Sequence, residues 1–253
     1  MHKTSIISSK SKIADNVDIG PFCIIEDNVS IKENCKIHSH VIIKSGTSIG
    51  ENCEIFSGAI LGEIPQDLKY DGEETKLKIG DNNIIREYAT IHRGTSDRIT
   101  TKIGNNCMLM AYSHVAHDSI IKNNVILSNS VQVGGHVDID DFVIVGGATP
   151  IHQFCKLGRY SFIGGGYRVV QDVPPYIKAM GEPLKYSGVN SIGLSRNNFS
   201  SNQISLIKKA YKILYRSEHN VSQAVSILKE DYSGDSDINE IINFIAGSSR
   251  GII

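Results

Sequence analysis

The stretch Ile19-Gly-Pro-Phe-Cys-Ile-Ile25-Glu-Asp-Asn-Val-Ser-Ile31 contains two successive hexads, and an isoleucine heads each of them. Four positions after each heading residue comes a small or β-branched residue, Cys23 and then Val29. A six-residue period matches neither the turn of an α-helix nor the simple alternation of a β-strand. It predicts a short strand followed by a turn, a unit that can bury its apolar face only by stacking on its neighbours.

The same period runs through most of the first 173 residues of the chain. All 25 heading positions carry aliphatic residues: Ile7, Ile13, Ile19, Ile25, Ile31, Ile37, Ile43, Ile49, Ile55, Leu61, Ile79, Ile85, Ile91, Ile103, Leu109, Val115, Ile121, Leu127, Val133, Ile139, Val145, Ile151, Leu157, Ile163 and Val169. The cysteines all occupy the small position four residues further on: Cys23, Cys35, Cys53, Cys107 and Cys155. This placement predicts buried packing thiols rather than disulfides or metal ligands.

The repeat resembles the hexapeptide-repeat family of left-handed parallel β-helices, in which three hexads form one triangular coil. The left hand follows from the resemblance, because general crossover rules favour the right hand. The resemblance predicts a mainly β protein whose β-helix domain covers residues 1–190.

Two segments interrupt the repeat, 62–78 and 94–102, and interruptions of a solenoid are expected to form protruding loops on the binding side. The repeat ends near Pro174-Pro175, because two prolines cannot continue strand pairing. A linker is expected from there to about residue 198.

The period then becomes helical, and we expect a small C-terminal α-helical domain at 191–253. Three capping patterns predict helix starts, at Ser200 with Gln203, at Asn220 with Gln223, and at Asp237 with Glu240. Four cations lie on the first of these helices: Lys208, Lys209, Lys212 and Arg216. They form either an ordinary solvated face or a docking site for an acidic partner protein.

The composition argues against several classes of partner. With 26 Lys and Arg against 27 Asp and Glu, the net charge of −1 gives no reason to expect a nucleic-acid partner. No apolar run reaches the ~18 residues of a membrane span. The first ten residues lack the apolar centre of a secretory signal. The sequence therefore predicts a soluble cytoplasmic protein.

Histidines are concentrated along one edge of the predicted prism. Positions three hexads apart lie on the same face of successive coils, about 4.8 Å from each other. Val115, Val133 and Ile151 head three such hexads. The polar residues near these positions are His114, His117, Asp118, His136, His152 and Gln153, with Gly135 among them and His92 before them.

The pair His117-Asp118 has no evident structural use in the repeat, and it therefore indicates a site. Histidine is suited to proton transfer near neutral pH, and a carboxylate can orient the ring and stabilise its charged form. Every cysteine is predicted to point inward, and we expect no serine nucleophile beside His117. The pattern therefore favours direct transfer, with His117 as base and the nucleophile supplied by the substrate.

The residues alone leave three classes open. The first is acyl transfer to a hydroxyl or amine. The second is a zinc site, because hexapeptide β-helices include γ-type carbonic anhydrases with histidines shared across a trimer interface. The third is a structural scaffold.

A series of motifs narrows this choice, and it spans essentially the whole chain. In order they are Gln66-Asp-Leu-Lys-Tyr70, Ile91-His-Arg-Gly-Thr95, His114-Val-Ala-His-Asp118, Gly134-Gly-His-Val137, Ile151-His-Gln-Phe154 and Gln171-Asp-Val-Pro-Pro-Tyr176. Together they closely resemble the acyl-[acyl-carrier-protein]:UDP-N-acetylglucosamine O-acyltransferase family of lipid A biosynthesis.

The resemblance implies a homotrimer with active sites between neighbouring prisms. His117 would deprotonate the glucosamine 3-hydroxyl, which attacks the thioester of a 3-hydroxyacyl chain on acyl carrier protein. Asp118 would polarise His117, and the Gly135 N–H would stabilise the oxyanion. The basic first helix would dock the carrier protein. The family needs no metal and no cofactor beyond the carrier's phosphopantetheine arm.

The resemblance also assigns substrate contacts. Residues expected to hold the sugar, the nucleotide or the acyl chain are Gln66, Asp67, Lys69, His92, His114, His136, His152, Gln153, Asn190 and Arg196. Gly165 matches the position that limits acyl length, and a glycine there favours a longer chain, although the bulk of Phe162 nearby leaves the length open. Asn197 stands where relatives often have a second arginine, and Ile192 where an acid is common.

Two related activities remain as alternatives. The later N-acyltransferase of the same pathway normally carries a large domain before its prism, whereas the hexads here begin at Ile7. An acetyl-coenzyme A acetyltransferase would not need the long 62–78 interruption or the basic helical tail. The sequence leaves open whether the acceptor is a 3-hydroxyl or a 3-amino group.

Overall fold

Each hexad folds into a strand of about two residues followed by a turn, in a computed structural model that describes residues 2–253. The heading residue of the hexad points inward, and the third residue after it forms the corner with a positive φ. Asparagine recurs at this corner because its short polar side chain tolerates the left-handed conformation. The corner asparagines have φ between 56° and 60°: Asn28, Asn34, Asn52, Asn82, Asn106 and Asn124.

Every third strand joins the same sheet, which gives a prism with three faces. The first face contains Ile6–Ile7, Ile24–Ile25, Ile42–Ile43, Ile60–Glu63, Thr90–His92, His114–Val115, Gln132–Val133 and Pro150–Ile151. The second face contains Lys12–Ile13, Ser30–Ile31, Thr47–Ile49, Lys76–Ile79, Thr100–Ile103, Ile120–Ile121, Asp138–Ile139 and Lys156–Leu157. The third face contains Asp18–Ile19, Lys36–Ile37, Glu54–Ile55, Ile84–Ile85, Met108–Leu109, Ile126–Leu127, Ile144–Val145, Phe162–Ile163, Ile177–Met180 and Lys185–Val189.

The interior of the prism is filled by the two apolar positions of the hexad. Ile43, Ile55 and Val115 are fully buried, and so are small residues such as Val41 and Ala59. All five cysteines are buried and free, which confirms their prediction as packing thiols. Because each coil contributes the same side-chain shapes, the core is a regular stack with its register fixed by the heading residues.

Both interruptions leave the prism at the corner between the first and second faces, on consecutive coils. Strands Ile60–Glu63 and Lys76–Ile79 extend into the expected 62–78 insertion, so the first loop is 64–75. Strand Thr100–Ile103 likewise extends into the expected 94–102 interruption, and Thr90–His92 ends before it, so the second loop is 93–99. The turn that carries His117 occupies this corner on the next coil.

The expected linker before residue 198 is wrong. Ile177–Met180 continues the third face in parallel with Phe162–Ile163, and Lys185–Val189 then pairs with it antiparallel. The two prolines end the regular hexads without ending the sheet, because the chain regains strand geometry two residues later.

Four helices follow the last strand: α1 (Ser191–Arg196), α2 (Ser201–Arg216), α3 (Val221–Tyr232) and α4 (Ser236–Ala246). The capping boxes predicted at Ser200 and Asn220 are both present. The third predicted start is wrong by two residues, because Asp235 rather than Asp237 caps α4 by accepting from the N–H groups of Asp237 and Ile238. None of the helices within residues 2–253 combines the length and apolarity needed to cross a membrane.

The helices are tied to the end of the prism through its last coils. The Tyr211 hydroxyl donates to the carbonyl of Pro175 at 2.5 Å. At the chain end, the Ser248 hydroxyl donates to Asp172 at 2.6 Å, and Ile252 bridges to the same residue. The helical segment is therefore anchored both at its start and at its end.

Candidate active site

The His117 side chain lies at the corner between the first and second faces, directly after the strand His114–Val115. Its Nδ1 lies 2.8 Å from Oδ2 of Asp118. The imidazole side chain is 12% exposed, whereas the Asp118 side chain is 0% exposed. The sequence neighbours thus form one unit, with the carboxylate behind and the ring at the surface.

The expectation that Asp118 has no structural use is wrong. Its carboxylate accepts from the Thr95 N–H at 3.0 Å, the Thr95 hydroxyl at 2.6 Å and the Arg98 N–H at 3.3 Å. Its own N–H donates to the Thr101 hydroxyl at 2.8 Å. Asp118 also adopts the corner conformation, with φ of 60°. It therefore fastens the second loop to the coil above.

The hydrogen bonds around Asp118 keep it ionised. Burial alone would raise the pKa of this carboxyl, but hydrogen bonds from Thr95 and His117 outweigh burial and lower the pKa below its usual range. An ionised carboxylate can only accept, so Nδ1 of His117 carries the hydrogen. Nε2 then has a free lone pair, and no other hydrogen-bond partner of this ring occurs within residues 2–253.

Gly135 lies beside the His117 ring on the next coil. A Cβ built on Gly135 would approach Cε1 and Nε2 of the ring to 2.9 Å, so only glycine leaves the imidazole in this place. The N–H of Gly135 meets no acceptor among residues 2–253. A free backbone donor thus stands close to the free nitrogen of His117.

A cleft of about 580 Å³ opens over His117. Its walls come from both loops and from the next two coils: Gln66, Asp67, Leu68, Lys69, Tyr70, Glu73, Thr95, Ser96, Asp97, His117, His136, Gln153 and Phe154. The Glu73 carboxylate accepts from the N–H groups of Asp71 and Ser96, at 2.9 and 3.1 Å, and so joins the two loops. Of the expected site residues, Gln66, Asp67, Lys69, His136 and Gln153 are brought together here with His117.

His136 forms the side of the cleft next to the base. Its ring stacks on Phe154 with centroids 4.6 Å apart and meets the His117 ring edge-on at 5.3 Å. Its Nε2 lies 3.7 Å from carboxylate oxygens of both Asp97 and Asp118. The residue thus packs against the base and faces two acids.

One hydroxyl was not anticipated in the cleft. Ser96 lines the same cavity as His117, although we expected no serine beside the base. No hydrogen bond joins its hydroxyl to His117 among residues 2–253, and the Thr95 hydroxyl is engaged by Asp118. Neither side chain is therefore activated as a nucleophile in the way that a serine paired with histidine would be.

His117, Asp118 and His136 are close enough to be considered as a metal site, since their ligand atoms lie within 4.8 Å of one another. The carboxylate, however, already accepts four hydrogen bonds, from Thr95 twice, from Arg98 and from His117. The Nδ1 of His117 is likewise engaged. A metal would have to break this network, so the donor set favours acid–base chemistry over zinc binding.

Two further histidines, the buried His92 and the half-buried His114, form a separate pair on the first face. The rings of His92 and His114 meet edge-on with centroids 4.9 Å apart. Burial lowers the pKa of both, that of His114 to about 4, and the neighbouring histidines add to the shift. Nδ1 of His114 lies 2.8 Å from the Thr90 hydroxyl. Neither ring lines the cleft over His117.

The low pKa of His114 predicts a pH dependence of stability. Between pH 6.5 and about 4 the unfolded chain binds a proton at this residue that the folded chain excludes, so stability is complete above that range and falls as pH drops through it. From pH 7.5 to pH 5 the loss from this group is about 2 kcal/mol. In urea unfolding at both pH values, His114→Asn, which keeps an acceptor for Thr90, should lose that much less stability than the parent. An unchanged pH dependence would contradict the assignment.

The remaining expected residues lie outside the cleft of a single chain. His152 is exposed, with Nδ1 3.0 Å from the Gln153 carbonyl. Gly165 packs against the backbone of Gly147 on the third-face side. The Asn190 amide caps α1 by accepting from the Gly193 N–H and donates to the Tyr160 carbonyl, so both its oxygen and its nitrogen already have a partner within the chain. Arg196 is exposed in the last turn of α1.

The most important residues whose role was not predicted from the sequence are Thr95, the last residue of the motif Ile91-His-Arg-Gly-Thr95, and Arg98. They lie in an interruption of the repeat, where no period relates them to Asp118. The one available signal was that Asp118 stands at the corner position where asparagine recurs, which marks it as a turn residue in contact with its surroundings.

Comparisons with known proteins agree on one family for this chain. Residues 172–253 match the family described as UDP N-acetylglucosamine O-acyltransferase, domain 2, and residues 100–135 match the bacterial transferase hexapeptide family (six repeats). The acyl-[acyl-carrier-protein]–UDP-N-acetylglucosamine O-acyltransferase of Thiobacillus denitrificans is 44% identical over 100% of this chain and 98% of that protein. The protein of the same name from Aliivibrio salmonicida is 48% identical over 100% of this chain and 97% of its own length.

Solved structures show the same agreement. The UDP-N-acetylglucosamine acyltransferase of Bacteroides fragilis has a TM-score of 0.98 and 45% identity, covering 100% of this chain and 99% of that one. The corresponding protein of Acinetobacter baumannii has a TM-score of 0.96 and 45% identity over 100% of this chain and 98% of its own. The predicted left-handed parallel β-helix with C-terminal helices is confirmed. The chain is an acyltransferase and belongs to the UDP-N-acetylglucosamine O-acyltransferase family of hexapeptide-repeat enzymes.

Proposed function

We propose that the enzyme transfers a 3-hydroxyacyl chain from acyl carrier protein to the 3-hydroxyl of UDP-N-acetylglucosamine, the first step of lipid A biosynthesis. The names of the relatives supply the donor and acceptor classes. The observation that carries the mechanism is the His117–Asp118 pair, whose Nε2 is free and stands beside the free N–H of Gly135. The proposed location is the cytoplasm, where acyl carrier protein and nucleotide sugars are available to an enzyme without further machinery.

In the proposed reaction, Nε2 of His117 removes the proton of the sugar 3-hydroxyl as its oxygen attacks the thioester carbonyl. The new C–O bond creates an oxyanion, which accepts a hydrogen bond from the Gly135 N–H. The C–S bond then breaks, and the thiolate of the phosphopantetheine arm takes the proton back from the imidazolium. Proton transfer of this kind contributes roughly 10²–10⁴-fold to rate, and one oxyanion donor about 10²–10³-fold.

Asp118 supports both halves of that cycle. While the imidazole is neutral, the carboxylate fixes the hydrogen on Nδ1. When the ring becomes charged, the buried and ionised carboxylate 2.8 Å away stabilises the imidazolium. No covalent acyl-enzyme is needed, because the hydroxyls of Ser96 and Thr95 are not activated by His117 and the five cysteines are buried.

The first loop would hold the sugar and the start of the acyl chain. Gln66, Asp67 and Lys69 face His117 across the cleft, while His136 and Gln153 extend the same wall along the prism. Their amide, carboxylate, ammonium and imidazole groups offer both donors and acceptors for a polar sugar. No cofactor is proposed beyond the carrier's phosphopantetheine arm. No metal is proposed, because the Asp118 carboxylate oxygens that could bind one already accept hydrogen bonds from Thr95, Arg98 and His117.

A homotrimer would complete the site. His152, Gly165, Asn190 and Arg196 lie away from the cleft in their own chain, so a neighbouring prism is the source from which such residues could reach the nucleotide and the end of the acyl chain. His92 is buried and His114 is half-buried on the first face, outside the cleft of their own chain. The exposed Gly165 would leave room for a longer hydroxyacyl chain.

The basic stripe of α2 is proposed as the docking site for the carrier. Lys208, Lys209, Lys212 and Arg216 are all exposed, and none of them forms an ion pair within residues 2–253. Exposed charges of one sign steer an acidic partner and raise its association rate.

Reversing two of these charges should weaken docking without changing the chemistry. The double variant Lys208→Glu with Lys212→Glu is expected to raise KM for the acyl carrier substrate about tenfold, with kcat and KM for the nucleotide sugar unchanged. The matched control is Lys229→Glu, an exposed lysine on α3. Steady-state kinetics at low and high salt measure the effect, which should shrink as salt screens the parent's advantage. Equal KM values for parent and double variant would exclude this face as the docking site.

The function itself is tested by incubating the purified enzyme with UDP-N-acetylglucosamine and a panel of 3-hydroxyacyl carrier proteins of increasing chain length. We expect the mass of the nucleotide sugar to rise by that of one acyl group, with the longer chains preferred. A parallel reaction with a 3-amino sugar nucleotide distinguishes ester from amide products. Turnover with none of the donors would overturn the proposal, and activity lost to chelators with stoichiometric metal in the protein would favour the zinc alternative.

A further inference from the structure

We propose that Thr95 and Arg98 of the second loop are positioning residues for the general base, acting on His117 through Asp118. The inference rests on the proposed role of His117. It adds two residues whose role was not predicted from the sequence, although Thr95 ends the motif Ile91-His-Arg-Gly-Thr95. Both residues are placed by the second loop at 93–99 rather than by the repeat.

Thr95 fixes the carboxylate on both of its oxygens. Its N–H donates to Oδ1 of Asp118 at 3.0 Å, and its hydroxyl donates to Oδ2 at 2.6 Å. The direction of that hydroxyl is set in turn by the Asp97 N–H, which donates to it at 3.3 Å. Oδ2 is the same atom that accepts from Nδ1 of His117, so the threonine hydroxyl and the imidazole share one acceptor.

This arrangement matters because the terminal torsion of an aspartate is soft. If only the backbone N–H groups of Thr95 and Arg98 held the carboxylate, through Oδ1, it could rotate about its terminal torsion. Oδ2 would then move away from Nδ1 of His117, and that hydrogen bond would weaken. The Thr95 hydroxyl supplies a second hydrogen bond to Oδ2, beside that of the imidazole, and so resists this rotation. The orientation of the ring, and with it the position of Nε2 in the cleft, therefore depends on the side chain of Thr95, which lies 23 residues before Asp118.

Arg98 holds the backbone beneath the pair. Its guanidinium donates to the Asp118 carbonyl at 3.0 Å and to the Asp138 carboxylate at 2.6 Å. Its N–H also donates to Oδ1 of Asp118 at 3.3 Å. One residue thus links the second loop, the corner turn of the His117 coil and a second-face strand of the coil above.

The loop also connects the base with the opposite wall of the cleft. Glu73 of the first loop accepts from the Ser96 N–H, next to Thr95. The residues proposed to hold the sugar and the residues proposed to hold the base are therefore parts of one hydrogen-bonded unit. A positioning role predicts that loosening this unit changes the chemical step more than substrate binding.

The test compares Thr95→Val, which removes the hydroxyl and keeps the shape, with Thr95→Ser, which restores it. Thr100→Val is the matched control, because the Thr100 hydroxyl makes no hydrogen bond within residues 2–253. We expect Thr95→Val to lower kcat by about tenfold to a hundredfold, since small misplacements of a catalytic group cost rates of this order. Both KM values should stay within about twofold, Thr95→Ser should recover most of kcat, and Thr100→Val should match the parent.

Thermal unfolding and circular dichroism of each variant show whether the fold is kept. Arg98→Gln removes the guanidinium hydrogen bond to the Asp118 carbonyl, and we expect it to lower kcat by the same factor as Thr95→Val. If Thr95→Val keeps the parental kcat while His117→Ala is inactive, the positioning role is overturned and the role of the base survives. If Thr95→Ser recovers nothing, the threonine acts through its packing and the inference is also overturned. If His117→Ala is active, it is the proposed function that fails.

Discussion

Replacing His117 by alanine is expected to lower kcat by about 10²–10⁴-fold while the protein remains folded. The loss follows from removing a ring whose Nδ1 is held by a hydrogen bond to the Asp118 carboxylate and whose Nε2 is free to accept a proton. The fold should survive because the ring lies outside the prism core, and Asp118 keeps its donors from the second loop. Steady-state kinetics measure the first effect, and urea unfolding should show a stability change within about 1 kcal/mol of the parent.

The matched control for this substitution is His219→Ala, an exposed histidine between α2 and α3. It should leave both kcat and stability unchanged. Added imidazole should restore part of the activity of His117→Ala, because the cavity left by the ring keeps its carboxylate. An active His117→Ala enzyme would remove the base from the mechanism.

Replacing Asp118 by asparagine should have a double effect that His117→Ala lacks. In asparagine an NH2 group replaces one of the two acceptor oxygens. This NH2 donor would then point at another donor, either the N–H groups of Thr95 and Arg98 or the Nδ1 hydrogen of His117. We expect kcat to fall by about 10²–10⁴-fold, because the imidazole loses both its tautomer and its counter-charge. We also expect the free energy of unfolding to fall by about 1–3 kcal/mol, the cost of leaving buried partners unpaired.

The control for Asp118→Asn is Asp15→Asn, an exposed aspartate near the start of the prism. Urea unfolding and kinetics of both variants, measured side by side, separate the two effects. If Asp118→Asn matched the parent in stability, the carboxylate would not be what fastens the second loop, and the link from Thr95 to His117 would lose its basis.

The regular part of the site could be predicted because the repeat converts sequence spacing into position. Val115, Val133 and Ile151 pair in register on the first face, so residues at fixed offsets from them, His117, Gly135 and Gln153, come to lie side by side. The hexad also assigned the cysteines to the interior, where their thiols cannot serve as nucleophiles.

The irregular part could not be predicted in the same way. Thr95 and Arg98 reach Asp118 from a loop without a period, and only the folded path of that loop brings them within hydrogen-bond distance. The end of the prism shows a similar limit. Pro174 and Pro175 indicated a linker, yet the chain returns to the third face at Ile177, because strand pairing there needs no further hexad.

The start of α4 shows how the structure selects between two aspartates that are neighbours in sequence. Asp235 and Asp237 are both suited to cap α4, and the pattern with Glu240 favoured Asp237. In the structure Asp235 accepts from the first free N–H groups, while Asp237 lies within the helix and accepts from the Tyr176 hydroxyl at 3.0 Å. The carboxylate of Asp237 is thus engaged by a tertiary contact with Tyr176, which the sequence does not reveal.

In the proposed mechanism the sugar hydroxyl attacks the acyl thioester directly, with His117 as base. A single-turnover experiment with excess enzyme, quenched at successive times and analysed by intact-protein mass and by product mass, distinguishes direct attack from a covalent acyl-enzyme. With direct attack, the thioester should disappear at the rate at which the acylated nucleotide sugar forms, with no acyl mass on the enzyme at any time. An acylated enzyme that forms and decays at rates matching turnover would contradict it.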